Sequence, residues 1–443
     1  MNDLIVLDCE VYPNYFLAAF KSVNNNKVVT IEIKGAANRL TKHDATKLNT
    51  IMTKKTTFGY NSNNYDMPII LYALQGRTAK EICDLSNFII EGNNPSWITM
   101  QKYSLTKPQA YKHFDIEQPA PAVMVSLKLY GGRMHSHTLQ DLPIEPNSVL
   151  TEQNMVDMLT YCINDLDTTI ELYNSVKKQI ALRVDMSAKY GQDLLSKSDA
   201  QIAETVIKSE LQKGNKKKYF KAPTFTADTT FKYEIPSFIS FKTKQLQDAL
   251  EIIRNHDYKL NNAGKVVLPK SISSMKIKLG GSNYKMGNGG LHSMEKSQTV
   301  VPDDNQILAD RDVASYYPRI ILNSGIYPKN LGADFLTIYE QIVNDRLKAK
   351  ANKDSVTSDS LKIVINGSFG KLGSKYSALY SPDLMIAVTL TGQLALLMLI
   401  ERLELNAISV VSANTDGFVS LMTKEQYALY DNLCAQWQKL TCF

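Results

Sequence analysis

Hydrophobic spacing divides the chain into segments before any single residue is considered. LIVLDCEVYPNYFLAAFKS, from residue 4, reads as a buried strand, a turn at Pro13-Asn14 and a second strand, with VVTIEI (28–33) as a third. A polar stretch with helical spacing covers residues 36–54. TTFGYNSNNYDMPIILYAL then holds a short strand, an Asn-rich loop and a helix with Pro68 in its first turn. Residues 150–180 carry a long amphipathic helical pattern for which Thr151 is a candidate cap. Residues 181–275 are less regular; the helix SDAQIAETVIKSELQK runs there into the basic loop KGNKKKYFKAP (213–223). From about residue 276 a Gly-rich loop, GGSNYKMGNGGLHS, precedes a strand ending in ILADRD and helices over 334–351, 358–372 and 383–404. A hairpin at 410–422 turns on Asn414-Thr415-Asp416-Gly417.

A chain of 443 residues can bury more than one core. With 44% apolar and 21% charged residues it has the composition of a soluble globular protein, and a net charge of +6 only hints at a polyanionic partner. Its cysteines (Cys9, Cys83, Cys162, Cys434, Cys442) show no C-x-x-C spacing, which argues against a zinc or iron–sulfur cluster and fits a reducing compartment. The start, MNDLIVLDCE, lacks a charged leader followed by an apolar stretch. The most apolar segment (385–400) is interrupted by Thr389, Thr391, Gly392 and Gln393, so it reads as a core helix and no membrane is expected. The expectation is a cytoplasmic protein. Lys216–Lys218, beside Tyr219 and Phe220, read either as a solvated loop or as a run that tracks a phosphate backbone.

The candidate chemistry begins with Asp8 and Glu10, spaced i, i+2 in a strand and so on one face. Asp66 follows the Asn-rich loop, and Asp165 lies one helical turn after Tyr161. Four carboxylates with no nearby His or Cys suit paired Mg²⁺ or Mn²⁺, which can activate water and stabilise the leaving oxygen of a phosphodiester. In this order and spacing, D8-x-E10, N61-S-N-N-Y65-D66 and Y161-C-I-N-D165 resemble the three exonuclease motifs of proofreading DNA polymerases, on an RNase H-like fold. The resemblance implies that Asp8, Glu10, Asp66 and Asp165 hold two metals and that Tyr161 orients the attacking water. It also implies that Asn61 and Tyr65 help hold a frayed 3′ end.

A turn carboxylate such as Asp416 is by itself ordinary turn chemistry. D312-V-A-S315-Y316-Y317-P changes that reading, because it resembles the first polymerase motif of family B DNA polymerases, with Tyr316 where Leu is more common. Downstream, Arg346 and Lys350 are i, i+4 on a helix. K362-x-x-x-N366-G-S-F369-G370 resembles the family's K-x-x-x-N-S-x-Y-G, with Gly367 for Ser and Phe369 for Tyr. Asn414-Thr415-Asp416-Gly417 then stands in the place of D-T-D-S. The resemblance implies that Asp312 and Asp416 are metal ligands for nucleotidyl transfer. It makes Ser315, Tyr316 and Tyr317 part of the triphosphate turn, with Tyr317 the gate against a ribose 2′-OH. It assigns triphosphate contacts to Arg346, Lys350 and Lys362, and the floor under the nascent base pair to Asn366, Phe369 and Gly370. Gly289-Gly290 falls where the family has a DNA-binding Gly-Gly loop, with Gly287 in the slot of a preceding Tyr.

The fold expected is α/β multidomain: an RNase H-like exonuclease domain plus a polymerase palm (antiparallel sheet with helices) and short helical fingers. The domains expected are exonuclease 1–180, an intervening segment 181–275, palm 276–330, fingers 331–380 and a second palm part 381–443. The cofactors implied are Mg²⁺ or Mn²⁺, two per site, and the partners are primer–template DNA and dNTPs. The economy of the N-terminal part resembles small phage or mobile-element enzymes. Only 50 residues separate Asp312 from Lys362 and 54 separate Lys362 from Asp416, so a nucleic-acid primer is expected rather than a protein one. YALYDNLCAQWQKLTCF leaves no room for the family's helical thumb, which implies a fragment, a split enzyme or a separate C-terminal thumb chain or processivity factor. Two other readings use the same residues: an exonuclease whose polymerase half is crippled by Asn414 and the expected lack of a thumb, and a non-catalytic DNA-binding protein.

Overall fold

The computed structural model describes residues 4–120, 125–214, 219–226 and 229–443; Lys216–Lys218 lie outside the described residues. Contacts divide the chain into two units, Met1–Ser198 and Asp199–Phe443.

In the first unit β1 (Leu4–Tyr12), β2 (Tyr15–Ser22), β3 (Val28–Lys34), α1 (Lys42–Lys54), β4 (Thr56–Gly59) and α2 (Asp66–Leu74) come first. They are followed by α3 (Ala79–Glu91), α4 (Ser96–Lys102), β5 (His113–Asp115), α5 (Leu127–Met134), α6 (Glu152–Ser175) and α7 (Lys177–Tyr190). The sheet runs β3-β2-β1-β4-β5, antiparallel through β1 and parallel from β1 to β5. Successive side chains of the central strand β1 enter different cores. Leu4, Val6 and Tyr12 pack with Met158, Cys162 and Leu166 of α6, whereas Leu7 and Cys9 pack with Leu48 of α1 and Ile69 of α2. Asp8 and Glu10 continue the even-numbered set and therefore face α6. Thr151 starts α6 with a capping box to Asn154. Ile180 belongs to the α6 core, and Ser196 Oγ accepts the Asp115 N–H at 2.9 Å. Those contacts carry the unit to Ser198 rather than to residue 180.

The second unit opens with α8 (Asp199–Gly214), β6 (Thr230–Lys232), α9 (Lys244–Arg254), β7 (Asp257–Lys259) and α10 (Lys270–Ser273). Then come β8 (Ile277–Leu279), β9 (Ser282–Met286), β10 (Leu291–Ser293), β11 (Gln306–Asp312) and α11 (Tyr316–Ser324). The chain ends through α12 (Asp334–Ala351), α13 (Ser355–Leu372), α14 (Pro382–Leu405), β12 (Ser409–Asn414), β13 (Gly417–Thr423) and α15 (Tyr427–Thr441). The main sheet has the order β11-β13-β12-β10-β9-β8. The segment expected as a Gly-rich loop is instead three strands, because Ser282, Tyr284 and Met286 alternate inward and the glycines sit in the connections. Helix α14 is long and apolar enough by composition to cross a membrane, yet 89% of its most apolar window is buried inside the protein.

Residues 181–275 do not form a separate segment either. Helix α8 packs along α13, which also packs on α12. The crossing is close enough that a Cβ on Gly367 would lie 2.5 Å from the Asp199 carbonyl oxygen and 3.0 Å from Ala200 Cα. This accounts for glycine where the resembling motif has serine. Because the obstacle is backbone, Gly367→Ser is expected to destabilise the second unit by about 1–3 kcal/mol. The check is a lower denaturation midpoint at unchanged m-value; an unchanged midpoint would refute the packing argument.

Candidate functional site

The first unit brings its acidic residues to the end of β1. Ligand atoms of Asp8, Glu10 and Cys162 lie within 4.8 Å of one another. Asp165 and Tyr161 reach the same place from α6, where the Tyr161 hydroxyl donates to the Asp165 carboxylate. Asp66, the first residue of α2, is buried and takes a hydrogen bond from the Cys9 thiol, which points to the opposite face of β1 from Asp8. Burial, then Asp165, pushes Asp8 up to about 7. Burial and the neighbouring carboxylates hold Glu10 and Asp66 well above the ordinary range, and burial raises Asp165.

One expectation needs correction. The set does have cysteines beside it: Cys162 Sγ donates to Asp8 Oδ2 at 3.5 Å. Burial, then the adjoining carboxylates, pushes the Cys9 and Cys162 thiols well up, so they are protonated donors rather than soft ligands. The groups that remain to hold a cation are oxygens, and Asp66 Oδ1 is buried with no hydrogen-bond partner. An orphaned buried carboxylate oxygen amid three other carboxylates fits hard divalent cations such as Mg²⁺ or Mn²⁺.

The Asn-rich loop is held by residues that motif reading missed. Asp115 at the end of β5 accepts the backbone N–H groups of Asn63 (2.8 Å) and Glu117 (2.9 Å), and burial raises it to about 6. His113 bridges Thr57 Oγ1 (3.0 Å) and Ser62 Oγ (2.9 Å), and burial lowers it to about 3, so it is neutral. Asn61 takes a positive φ of 54°, and its Oδ1 accepts from Asn64 Nδ2 at 2.8 Å. The Tyr65 hydroxyl is hydrogen-bonded to Ser86 Oγ at 2.8 Å. Lys128 is a further missed residue: its Nζ lies 5.8 Å from the Tyr161 ring centre, and its charge favours the ionised form of Asp165. The apolar pattern gives no sign of it, because α5 folds back onto α6 only in three dimensions.

In the second unit, a cavity of about 320 Å³ is lined by Ser315, Tyr316, Tyr317, Arg346, Lys362, Asn366, Phe369, Thr415 and Asp416, among others. Asp312, Gly370 and Lys350, which is exposed one turn beyond Arg346, are not among its lining residues. Arg346 Nη1 donates to Ser315 Oγ at 2.9 Å, while its buried Nε has no partner. Tyr316 is buried and donates to the Gly392 carbonyl at 2.5 Å. The Tyr317 and Phe369 rings meet at 4.3 Å between centres, and the Tyr317 hydroxyl donates to the Gly289 carbonyl.

Two non-glycine residues of this wall, Ser315 (φ 57°) and Thr415 (φ 56°), are left-handed, which for a β-branched threonine is strained. The Gly-Gly turn braces Thr415. Buried Gln393 bonds both the N–H (2.9 Å) and the carbonyl (3.1 Å) of Gly287, and a Cβ on Gly290 would meet Thr415 Oγ1 at 2.7 Å. Asp312, paired with Gly417 across β11–β13, is exposed, and a Cβ at Gly417 would lie 1.9 Å from Asp312 Oδ1. Any side chain at 417 would make that carboxylate turn away from its present position. Asp416 is raised by desolvation, then by Asp312, which shows that the two acidic groups feel each other.

No protein-family model and no curated protein matches the sequence. By fold, the chain is similar to the family B DNA polymerase from the hyperthermophilic archaeon Pyrobaculum calidifontis, with a TM-score of 0.51 at 14% sequence identity. The likeness covers 99% of this chain and 55% of that one, so this chain spans about half the length of the archaeal protein. At that identity the comparison shows the fold: α/β and multidomain, resembling a family B DNA polymerase, as the sequence leads one to expect.

The raised carboxylates carry a pH signature. A carboxylate with a raised folded pKa contributes stability at low pH and loses it as pH rises through the folded value. For Asp8 the window runs from the ordinary value near 4 to about 7. In EDTA, the melting temperature of Asp8→Asn should therefore gain on wild type as pH rises from 5 to 8. Millimolar Mg²⁺ should raise wild type and close the gap. A gap that does not change with pH would refute the assignment.

Proposed function

We propose that the chain is a DNA-templated DNA polymerase with a 3′–5′ proofreading exonuclease, acting on primer–template DNA and dNTPs. The observation that carries this reading is the second unit's cavity, which is lined by Asp416 together with Arg346 and Lys362 within a family B-like fold. Such a cavity offers an acidic edge beside a cationic one, as phosphoryl transfer to a hydroxyl requires. A nucleic-acid primer, a phage or mobile-element origin and a reducing cytoplasm belong to the same proposal.

Two divalent cations held by Asp312 and Asp416 would stabilise the attacking and leaving oxygens of the transfer. The protein's own side chains do the rest. Arg346, oriented by Ser315, and Lys362 bind the triphosphate and stabilise charge gathering on the departing pyrophosphate. Lys350, one turn further along α12, extends the same cationic face. Tyr317 and Phe369 present a flat apolar wall to the base and sugar, with Asn366 beside them. The Gly289 carbonyl holds Tyr317 in the position from which its ring excludes a ribose 2′-OH. In the first unit, Asp8, Glu10, Asp66 and Asp165 would hold the cations for hydrolysis. Tyr161, fixed by Asp165, positions the attacking water, and Asn61 and Tyr65 border the path of the 3′ end.

Asn414 favours a second reading, in which the exonuclease remains and extension is lost. A labelled primer–template with Mg²⁺ and dNTPs separates the two. Asp312→Ala should reduce extension at least 100-fold and leave shortening intact, while Asp8→Ala should do the reverse. Shortening without extension by wild type at every enzyme concentration would sink the polymerase assignment. Gly417→Ser, which displaces the Asp312 carboxylate, should lower extension at least tenfold with little change in melting temperature. Asn414→Asp should lower the Mg²⁺ concentration that gives half-maximal extension.

A further inference from the structure

A second cavity of the same unit has no part in the chemistry above. It holds about 190 Å³ and is lined by Phe225, Asn261, Asn262, Lys375, Tyr376 and Tyr380, with no acidic residue among its walls. Its floor is rigid. The Tyr380 hydroxyl donates to the Gly264 carbonyl at 2.6 Å, and the Phe225 and Tyr380 rings pack edge-on with centres 5.4 Å apart. Asn261 Oδ1 accepts the N–H groups of Ala263 (3.0 Å) and Lys265 (2.9 Å), which fixes the turn at Gly264 (φ 72°). The Lys375 stem lies against that glycine, where an added Cβ would come within 3.0 Å of Cδ.

The rim is different. Tyr376 is 84% exposed, the highest value among the large apolar side chains of the described residues. The Lys375 ammonium sits 5.4 Å from the Tyr376 ring centre and makes no ion pair among the described residues, and the Asn262 side chain is exposed. On the rim of a preformed hollow, that exposed ring offers a flat face on which a planar ligand can stack. The hollow is small beside the 320 Å³ cavity and matches one aromatic ring system better than a whole nucleotide. The unpaired cation and the absence of carboxylates select a ligand with negative charge next to that ring.

We propose that this cavity is a stacking site for one unpaired base of a single-stranded nucleic acid. Tyr376 is its platform, Asn262 bonds the base edge and Lys375 contacts the adjoining phosphate. Duplex DNA cannot use the site, because its bases are already stacked.

The test is fluorescence anisotropy of the full chain in EDTA, where neither extension nor degradation contributes. The probes are a labelled single-stranded oligothymidylate and a blunt duplex of equal length. Tyr376→Ala should weaken single-strand binding about 5- to 100-fold, while Tyr376→Phe stays within twofold of wild type and duplex binding does not change. Asn262→Ala should weaken single-strand binding less than Tyr376→Ala does. A 5-iodouracil oligonucleotide should photo-crosslink to the peptide containing Tyr376. Equal losses for duplex and single strand, or no loss with Tyr376→Ala, would overturn the proposal. Because the assay needs no catalysis, a chain that fails to extend primers could still pass it.

Discussion

Like charges share a buried site only when a counter-charge or protons relieve their repulsion, and the first unit is organised around that constraint. Strand β1 lies between two apolar cores, so its even-numbered carboxylates have one direction in which to point, toward α6. From there α6 supplies Asp165 and the Cys162 thiol, while α2 brings Asp66 from the other side of the sheet. The surrounding protein supplies donors but no lysine or arginine within the cluster itself; the nearest cation described is Lys128, beside Tyr161. Asp66 Oδ1 is left unpartnered there, at a typical cost of about 1–3 kcal/mol, and that cost is what a bound cation would relieve.

The second unit meets a related constraint differently. Its acidic pair is more open to solvent than the first unit's cluster, although desolvation still raises Asp416, and shape is the further difficulty. Ser315 and Thr415 take left-handed backbone conformations at the edge of the cavity, and the Gly-Gly turn fills the space beside Thr415. Gln393, deep in α14, fixes that turn through its two bonds to Gly287. The strained Thr415 thus sits against a turn that is held by a polar side chain from a largely buried helix, and this gives the glutamine in that segment a structural role.

Two substitutions relative to the resembling motifs, Gly367 and Gly417, have steric causes visible only in the structure. Gly367 makes room for the backbone of α8, which is about 170 residues away in sequence, and Gly417 makes room for Asp312. Asn414 lacks such a cause: it pairs with His292 across β10–β12 and its side chain is exposed. The Gly-rich stretch at 276–293 was legible as irregular because its glycines outweigh a short alternation, and strands of three to five residues carry little periodic signal.

The sequence by itself determined the strands and helices with strong periodicity, the face of β1 that bears Asp8 and Glu10, and the order of the acidic motifs. These are local properties, set by side-chain spacing over a few residues. Tertiary structure alone decided that Cys162 joins Asp8, that Asp115 and His113 hold the Asn-rich loop, and that α8 packs on α13. It also decided where the units divide and which lysines reach the cavity, Lys362 doing so and Lys350 not. Each of those depends on residues far apart in the chain meeting at one place, and on burial there, which no local pattern encodes.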